Sequence, residues 1–283
     1  MAISVNTNMA SLTAQKTLSG STSKMNVAMD RLSTGYRINS SKDDAAGMAV
    51  STKLNFKLTS FDVANSNAQM GVSLLDTAEN ILITVKSNLQ RIRDLTEQAA
   101  NGTYGSDSLG SISKEVQARM DEITRLSKSV EFNGKYLLDG SMTTGINLQV
   151  GIENNKNSII VLNEGLFKDT SASLLLNVSG GKVASKYVSD TTAREFLADI
   201  DNAFTDIVDR ISDIGGYQQR LVTVLDATET MATSTTSALS AIQDADMAAE
   251  SSEFIKNQIL QQMSTSMLST ANQTPAIALS LLG

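Results

Sequence analysis

The side chains in this sequence whose types and spacing could do chemistry are carboxylates, arginines and methionines. Three acidic groupings stand out, Asp43-Asp44, Asp121-Glu122 and Asp244/Asp246. Neighbouring carboxylates can work as an acid–base pair or hold a hard cation. None of the three has the alternating oxygen ligands and the glycine of a calcium loop, so caps, connectors and solvated faces are their expected roles. The run Gln90-Arg91-Ile92-Arg93-Asp94-Leu95, with Glu115 further on, reads on its own as a solvated charged helix face. Twelve methionines raise the question of a copper site, but adaptable core filling suits their places on helical stripes better.

What is missing narrows the chemistry further. The 283 residues contain no Cys, no His and no Trp. That excludes a disulfide framework, a Cys/His zinc site, a Ser-His or Cys-His catalytic pair and His-ligated haem. No cofactor or metal is expected, and the chain reads as a structural or interaction protein, not an enzyme. Carboxylate–lysine chemistry remains formally open. A net charge of −7 argues against nucleic acid as a partner. No run of about 18 apolar residues predicts membrane insertion. The first ten residues lack the basic and apolar regions of a cleaved secretory signal. A cytosolic protein and one exported without a cleaved signal both fit.

The elements that must position these residues are mostly helices. Over residues 45–100, Leu54, Leu58, Phe61, Ala68, Val72, Leu75, Leu82, Leu89, Ile92 and Leu95 trace an amphipathic stripe with lapses at Asn65 and Glu79. Over 192–242, Ile200, Phe204, Ile207, Ile211, Ile214, Leu221 and Leu225 alternate four and three apart, with Gln218 in the missing slot. A period near 3.5 calls for a left-handed seam against a partner helix. Gly215-Gly216 interrupts that run, and the expected reason is close packing of a neighbour. Fifty helical residues would extend about 75 Å, so an elongated rod is expected.

A shorter helix is predicted over 105–129, and the period then changes. Phe132-Asn133-Gly134 carries a hairpin turn, and Ile146, Leu148, Val150 and Ile152 alternate with smaller or polar residues. Hairpins are therefore expected over 132–162. Residues 163–190 are weakly patterned and read as an exposed variable tip, with Ser and Thr at 169–192 as candidate sites for O-linked sugars. The predicted fold class is mainly α: a coiled-coil-like bundle of long antiparallel helices, a small β-hairpin region, and paired N- and C-terminal helices.

The ends differ from the middle. Val5, Met9, Leu12, Met25, Met29 and Leu32 keep helical spacing, with Ser and Thr between them. Phe254, Ile255, Ile259, Leu260, Met263, Met267 and Leu268 form a similar stripe near the other end. Isolated helices survive mainly by burying a face, and these stripes are thin. Both tails are expected to be poorly ordered in a free monomer and to fold against copies of themselves. A head-to-tail contact that does not close gives a filament.

Several blocks carry a resemblance. Ala2-Ile3-Ser4-Val5-Asn6-Thr7-Asn8, Arg31-Leu32-Ser33-Thr34-Gly35-Tyr36-Arg37-Ile38-Asn39-Ser40, Asp43-Asp44-Ala45-Ala46-Gly47, Phe132-Asn133-Gly134, Gln258-Ile259-Leu260-Gln261-Gln262 and Ala271-Asn272-Gln273 resemble the bacterial flagellins in type and order. Only 163–195 lacks a counterpart. The resemblance implies a filament core domain from 1–44 with 243–283 and a rod domain from 45–242. It implies a self-assembling, secreted filament subunit for swimming motility, passed unfolded through the flagellar type III apparatus. The implied partners are further copies of the chain, an export chaperone at the C-terminal helix, hook–filament junction and cap proteins, and Toll-like receptor 5. In similar flagellins the receptor contact uses an arginine, a leucine and a glutamate matching Arg91, Leu95 and Glu115, which puts Gln90, Arg91, Arg93, Leu95 and Glu115 in the candidate surface. Glu97 adds a carboxylate there that weakens the expectation. The alternatives are a hook–filament junction protein and, from another class, a secreted coiled-coil effector or scaffold.

Overall fold

The computed structural model describes residues 7–280. It contains six helices of the α type and four short strands in order: α1 (Met9–Thr34), α2 (Ala45–Ala99), α3 (Ser106–Ser129), β1 (Glu131–Phe132), β2 (Lys135–Tyr136), β3 (Ile146–Gln149), β4 (Ile159–Leu162), the single turn α4 (Ala172–Leu175), α5 (Asp190–Gln243) and α6 (Met247–Ser280). The chain forms two compact units, Met1–Leu58 with Thr233–Gly283, and Thr59–Ala232. Their limits fall inside α2 and α5.

In the Thr59–Ala232 unit, α2 and α5 run antiparallel. Arg93 Nε donates to Asp201 at 2.7 Å, and Gln218 Nε2 donates to Asp76 at 2.7 Å and Glu79 at 2.9 Å. Along α5, Ile200, Ile207, Ile214 and Leu221 are fully buried at seven-residue steps. The facing seam of α2 takes Ala68, Leu75, Leu82, Leu89 and Thr96 at sevens, interleaved with Ala64, Gly71, Ala78, Val85, Ile92 and Ala99. This is the four-three spacing of a coiled coil. Five of these eleven α2 residues are Ala or Gly, too small to register as an apolar stripe. Burying each large aliphatic contributes about 1.5–3 kcal/mol.

β1 and β2 pair across the Asn133-Gly134 turn, where both residues take positive φ, 48° and 79°. That left-handed pair is what an Asn-Gly hairpin turn requires. β3 and β4 pair antiparallel in the register Ile146↔Leu162 to Gln149↔Ile159. The hairpin lies close on α2 at Gly71, where an added Cβ would stand 2.5 Å from Leu148 Cδ1.

Residues 163–190 are not an exposed tip. They form a string of single turns packed between α3 and α5. Leu166, Phe167, Leu176, Val178, Val183 and Tyr187 are all buried in the unit's core. The string is tied at both sides by polar bonds. Gln117 of α3 donates to Gly181 O at 2.7 Å and accepts from Val183 N, and Thr124 accepts from Ala172 N. From α5, the buried Arg210 donates to Lys168 O and Thr170 Oγ1 while pairing with Asp206 at 2.5 Å. Burial also corrects the expected sugar sites: Thr170 is fully buried and Ser171 nearly so, whereas Ser185 and Thr191 are exposed.

Tyr187 sits edge-on to Phe196 with ring centroids 6.0 Å apart, and its hydroxyl contacts that of Thr96. Burial pushes the phenol up to about 12, against a smaller lowering by the Thr96 bond.

Candidate assembly interface

In the unit formed by the chain ends, local capping defines where each helix begins and stops. Asn8 accepts from Ser11 N at the start of α1, and Gly35 ends it in the left-handed conformation at φ 76°. Asp44 Oδ1 accepts from Ala46 N and Gly47 N ahead of α2, and Asp246 Oδ1 accepts from Ala248 N and Ala249 N ahead of α6. Asp43 folds back on the connector. The Ser40 hydroxyl, then the N–H groups of Ser40 and Asn39, hold its carboxyl below the ordinary value of 3.8. The two connectors clasp each other: Tyr36 bridges Asp244, Arg37 N donates to Gln243 O, Ala245 N donates to Gly35 O, and the Arg37 guanidinium donates to Ile242 O at 2.6 Å. The acidic groupings at 43–44 and 244/246 are thus fully used in capping and connection.

α1 and α6 lie antiparallel. Asn8 donates to Ala271 O, Ser11 to Asn272, Gln261 to Thr22, and Arg31 pairs with Glu250 at 2.8 Å. Among the described side chains, the buried residues of this pair are small or polar: Ala14, Ser21 and Ala28 on α1, Asn257 and Ser264 on α6. Each set steps by seven. In this register Leu18 lies level with Ser264 and Ala28 level with Phe254, so a large side chain on one helix stands by a small one on the other. The pair brings the helices close while hiding little apolar surface. Met25, Leu32, Phe254 and Leu268 are half-buried along its edges.

The rest of the predicted stripes face outward. Met9, Leu12, Met29, Ile255, Ile259, Leu260, Met263 and Met267 are all exposed, from 39% at Leu260 to 66% at Met9. Val5 lies outside the described residues. Together they form an apolar, outward-facing surface of the kind that interaction sites present.

The charged run on α2 has a different geometry. Arg91 reaches Glu115 of α3 at 3.3 Å, and Glu115 also takes Arg119 at 3.4 Å. Arg93 points the other way, to Asp201 and Glu97. Gln90 and Arg91 are exposed and Glu115 is half-exposed. Leu95 does not belong with them. It is 3% exposed and packs in the core, because it lies on the same apolar stripe as Ile92 and Ala99.

The bacterial flagellin N-terminal helical region matches residues 5–143, and the bacterial flagellin C-terminal helical region matches 197–282. The flagellin of Listeria monocytogenes is 36% identical over 284 aligned positions, covering 98% of this chain and 99% of its own. The chain is a bacterial flagellin. The Bacillus subtilis flagellin is also 36% identical, covering 98% and 99%, and the flagellar filament 33 kDa core protein of Treponema phagedenis is 32% identical over the same shares. A putative flagellar hook-associated protein from Vibrio parahaemolyticus, 17% identical, superposes with a TM-score of 0.60 over 71% of this chain and all of its own, which shows the shared fold.

As a flagellin, the protein is a subunit of the extracellular flagellar filament, a homopolymer of this chain that serves motility. Residues 144–196 fall between the two matched regions. The packed string at 163–190 lies in this interval and closes the core between α3 and α5. Among the described residues, no helix is long and apolar enough to cross a membrane. Two functional features escaped sequence reading. The small-residue seam of α1 and α6 gave no apolar signal, although its sevenfold step was present in Ala14, Ser21 and Ala28. The mutual clasp of the connectors carries no pattern at all.

Proposed function

We propose that the outward apolar face of α1 and α6 is this flagellin's polymerisation core, formed by Met9, Leu12, Met29, Ile255, Ile259, Leu260, Met263 and Met267, with Met25, Leu32, Phe254 and Leu268 at its edges. One observation carries the reading: the two helices bury Ala, Ser and Asn against each other and leave their large side chains for something else. Copies of the same pair fill that role in a homopolymer, and apolar contact is then worth about 25 cal/mol per Å² removed from water. The boundary drawn at 44 and 243 assigns these helices to the core domain, with the rod between. Chaperone cover of α6 during type III export follows from the same face, which must be shielded before assembly. Junction and cap proteins would meet it at the filament ends.

Deleting residues 1–40 and 244–283 tests this. The shortened chain should lose seeded growth and keep a cooperative melt from the Thr59–Ala232 unit. Growth of the deleted chain would defeat the assignment.

A second surface follows from Gln90, Arg91, Arg93 and Glu115. The exposed Arg91–Glu115 pair supports recognition of the monomer by Toll-like receptor 5, now without Leu95, which the core holds. Unchanged receptor signalling by Arg91→Ala monomer would remove it. The protein acts by assembly and not by catalysis, in keeping with a sequence free of His and Cys.

A further inference from the structure

Thioether sulfur is the most readily oxidised group in this chain. With no Cys, Trp or His in the sequence, a mild peroxide meets methionine as its main two-electron donor. The product, methionine sulfoxide, puts a polar, chiral group where a flexible apolar side chain stood. The methionines are unevenly placed. Eight of the twelve belong to Met1–Leu58 with Thr233–Gly283, and four to the larger Thr59–Ala232 unit.

Exposure divides them further. Met9, Met29, Met263 and Met267 make up half of the outward apolar set on α1 and α6, and they range from 48% exposed at Met29 to 66% at Met9. Met263 and Met267 stand one turn apart on the side of α6 that also carries Leu260. Met120, in the core of the other unit, is 1% exposed. Met25, Met48 and Met142 are half-buried, and Met70, Met231 and Met247 are exposed outside the set. A small oxidant in solvent therefore reaches the four on the outward set and leaves Met120 intact.

We propose that Met9, Met29, Met263 and Met267 are oxidation sites through which a peroxide controls assembly of this chain. The inference deepens the polymerisation-core reading and rests on it. A sulfur lone pair attacks one peroxide oxygen, the O–O bond breaks, and the departing hydroxide takes the proton left on the sulfoxide oxygen. Each thioether loses two electrons and gains one oxygen, and hydrogen peroxide is reduced to water. In the monomer the new S=O group points into solvent and leaves folding almost untouched. Between copies it is buried against apolar side chains without a donor, which disfavours the contact. Oxidation and assembly thus compete for one face: a polymerised subunit shields its thioethers, and an oxidised monomer no longer adds.

Seeded growth of full-length monomer tests it, after hydrogen peroxide treatment that leaves all four sulfoxides visible by peptide mass spectrometry. The concentration needed for growth should rise about tenfold, while the circular dichroism melt holds because Met120 stays reduced. Methionine sulfoxide reductases for both epimers should restore growth. Met9→Leu/Met29→Leu/Met263→Leu/Met267→Leu should keep growing after the same treatment, although Met70, Met231 and Met247 stay open to the oxidant. Unchanged growth of the oxidised wild type overturns the proposal. So does growth that the reductases fail to restore, or an equal loss in the leucine variant. Should that variant fail to fold or to grow untreated, the reductase arm decides, with repair followed residue by residue. Intact filaments separate this inference from the reading beneath it. There Met263 and Met267 should resist the peroxide; oxidation as fast as in the monomer would show the face open in the polymer and defeat the polymerisation-core assignment itself.

Discussion

The α1/α6 seam and the α2/α5 seam share a spacing and differ in substance. Both bury residues at seven-residue steps between antiparallel helices. In one, the steps are Ala14, Ser21 and Ala28; in the other they are Ile200, Ile207, Ile214 and Leu221. The spacing fixes geometry, since it keeps one face of each helix against its partner. Stability comes from the volume placed at those positions, at about 0.8 kcal/mol per buried methylene. The Thr59–Ala232 unit therefore holds itself together. The unit of the chain ends has the alignment of a coiled coil without its core, and its large side chains stand outside, on the face proposed above for contact with further copies.

The contrast breaks most visibly at Ile207. Ile207→Ala should cost the monomer about 2–5 kcal/mol, read as a lowered denaturation midpoint. A cost below 1 kcal/mol would show that the α2/α5 seam is not what holds that unit. A substitution of the same chemistry at the exposed Ile259 should leave monomer stability within about 0.5 kcal/mol while raising the concentration needed for seeded growth. Equal losses of stability at the two sites would erase the distinction between the seams. The smallest effect is a pH effect within the self-sufficient unit. Tyr187 has its phenol raised by burial, so the folded state keeps a proton that the unfolded chain gives up near 10. Stability from this group is complete below that value and falls as pH rises towards about 12. Ultraviolet titration should find one of the five tyrosines ionising after the others, and Tyr187→Phe should remove that late step.

Much of this was legible in the residues, and the failures have physical causes. The α5 seam announced itself because its buried positions are Ile and Leu at regular steps. Its α2 counterpart was read through Val72, which is half-buried, in place of Ala64, Gly71 and Ala78; close packing there selects small residues, which a hydropathy stripe does not register. The string at 163–190 looks like an exposed tip in sequence because each buried side chain comes from a separate turn, so no period outlasts a few residues. Phe167, Leu176, Val183 and Tyr187 were the available signal: bulky residues are seldom spent on an exposed tip. Leu95 belonged at once to the apolar stripe and to the charged run, and the stripe's period was the better guide. From Met9 and from Phe254 onward the terminal stripes do lie on helices, but the small residues between them make the seam.

The clasp between the connectors also sets an order of events. Arg37 finds its carbonyl partner 205 residues further along the chain, and Asn8 finds its own after 263. Each bond can form only after that long intervening stretch has been made, and closing so long a loop is entropically costly until the intervening segment has collapsed. The first helix of this chain must wait for segments made more than 200 residues later, which complete its contacts.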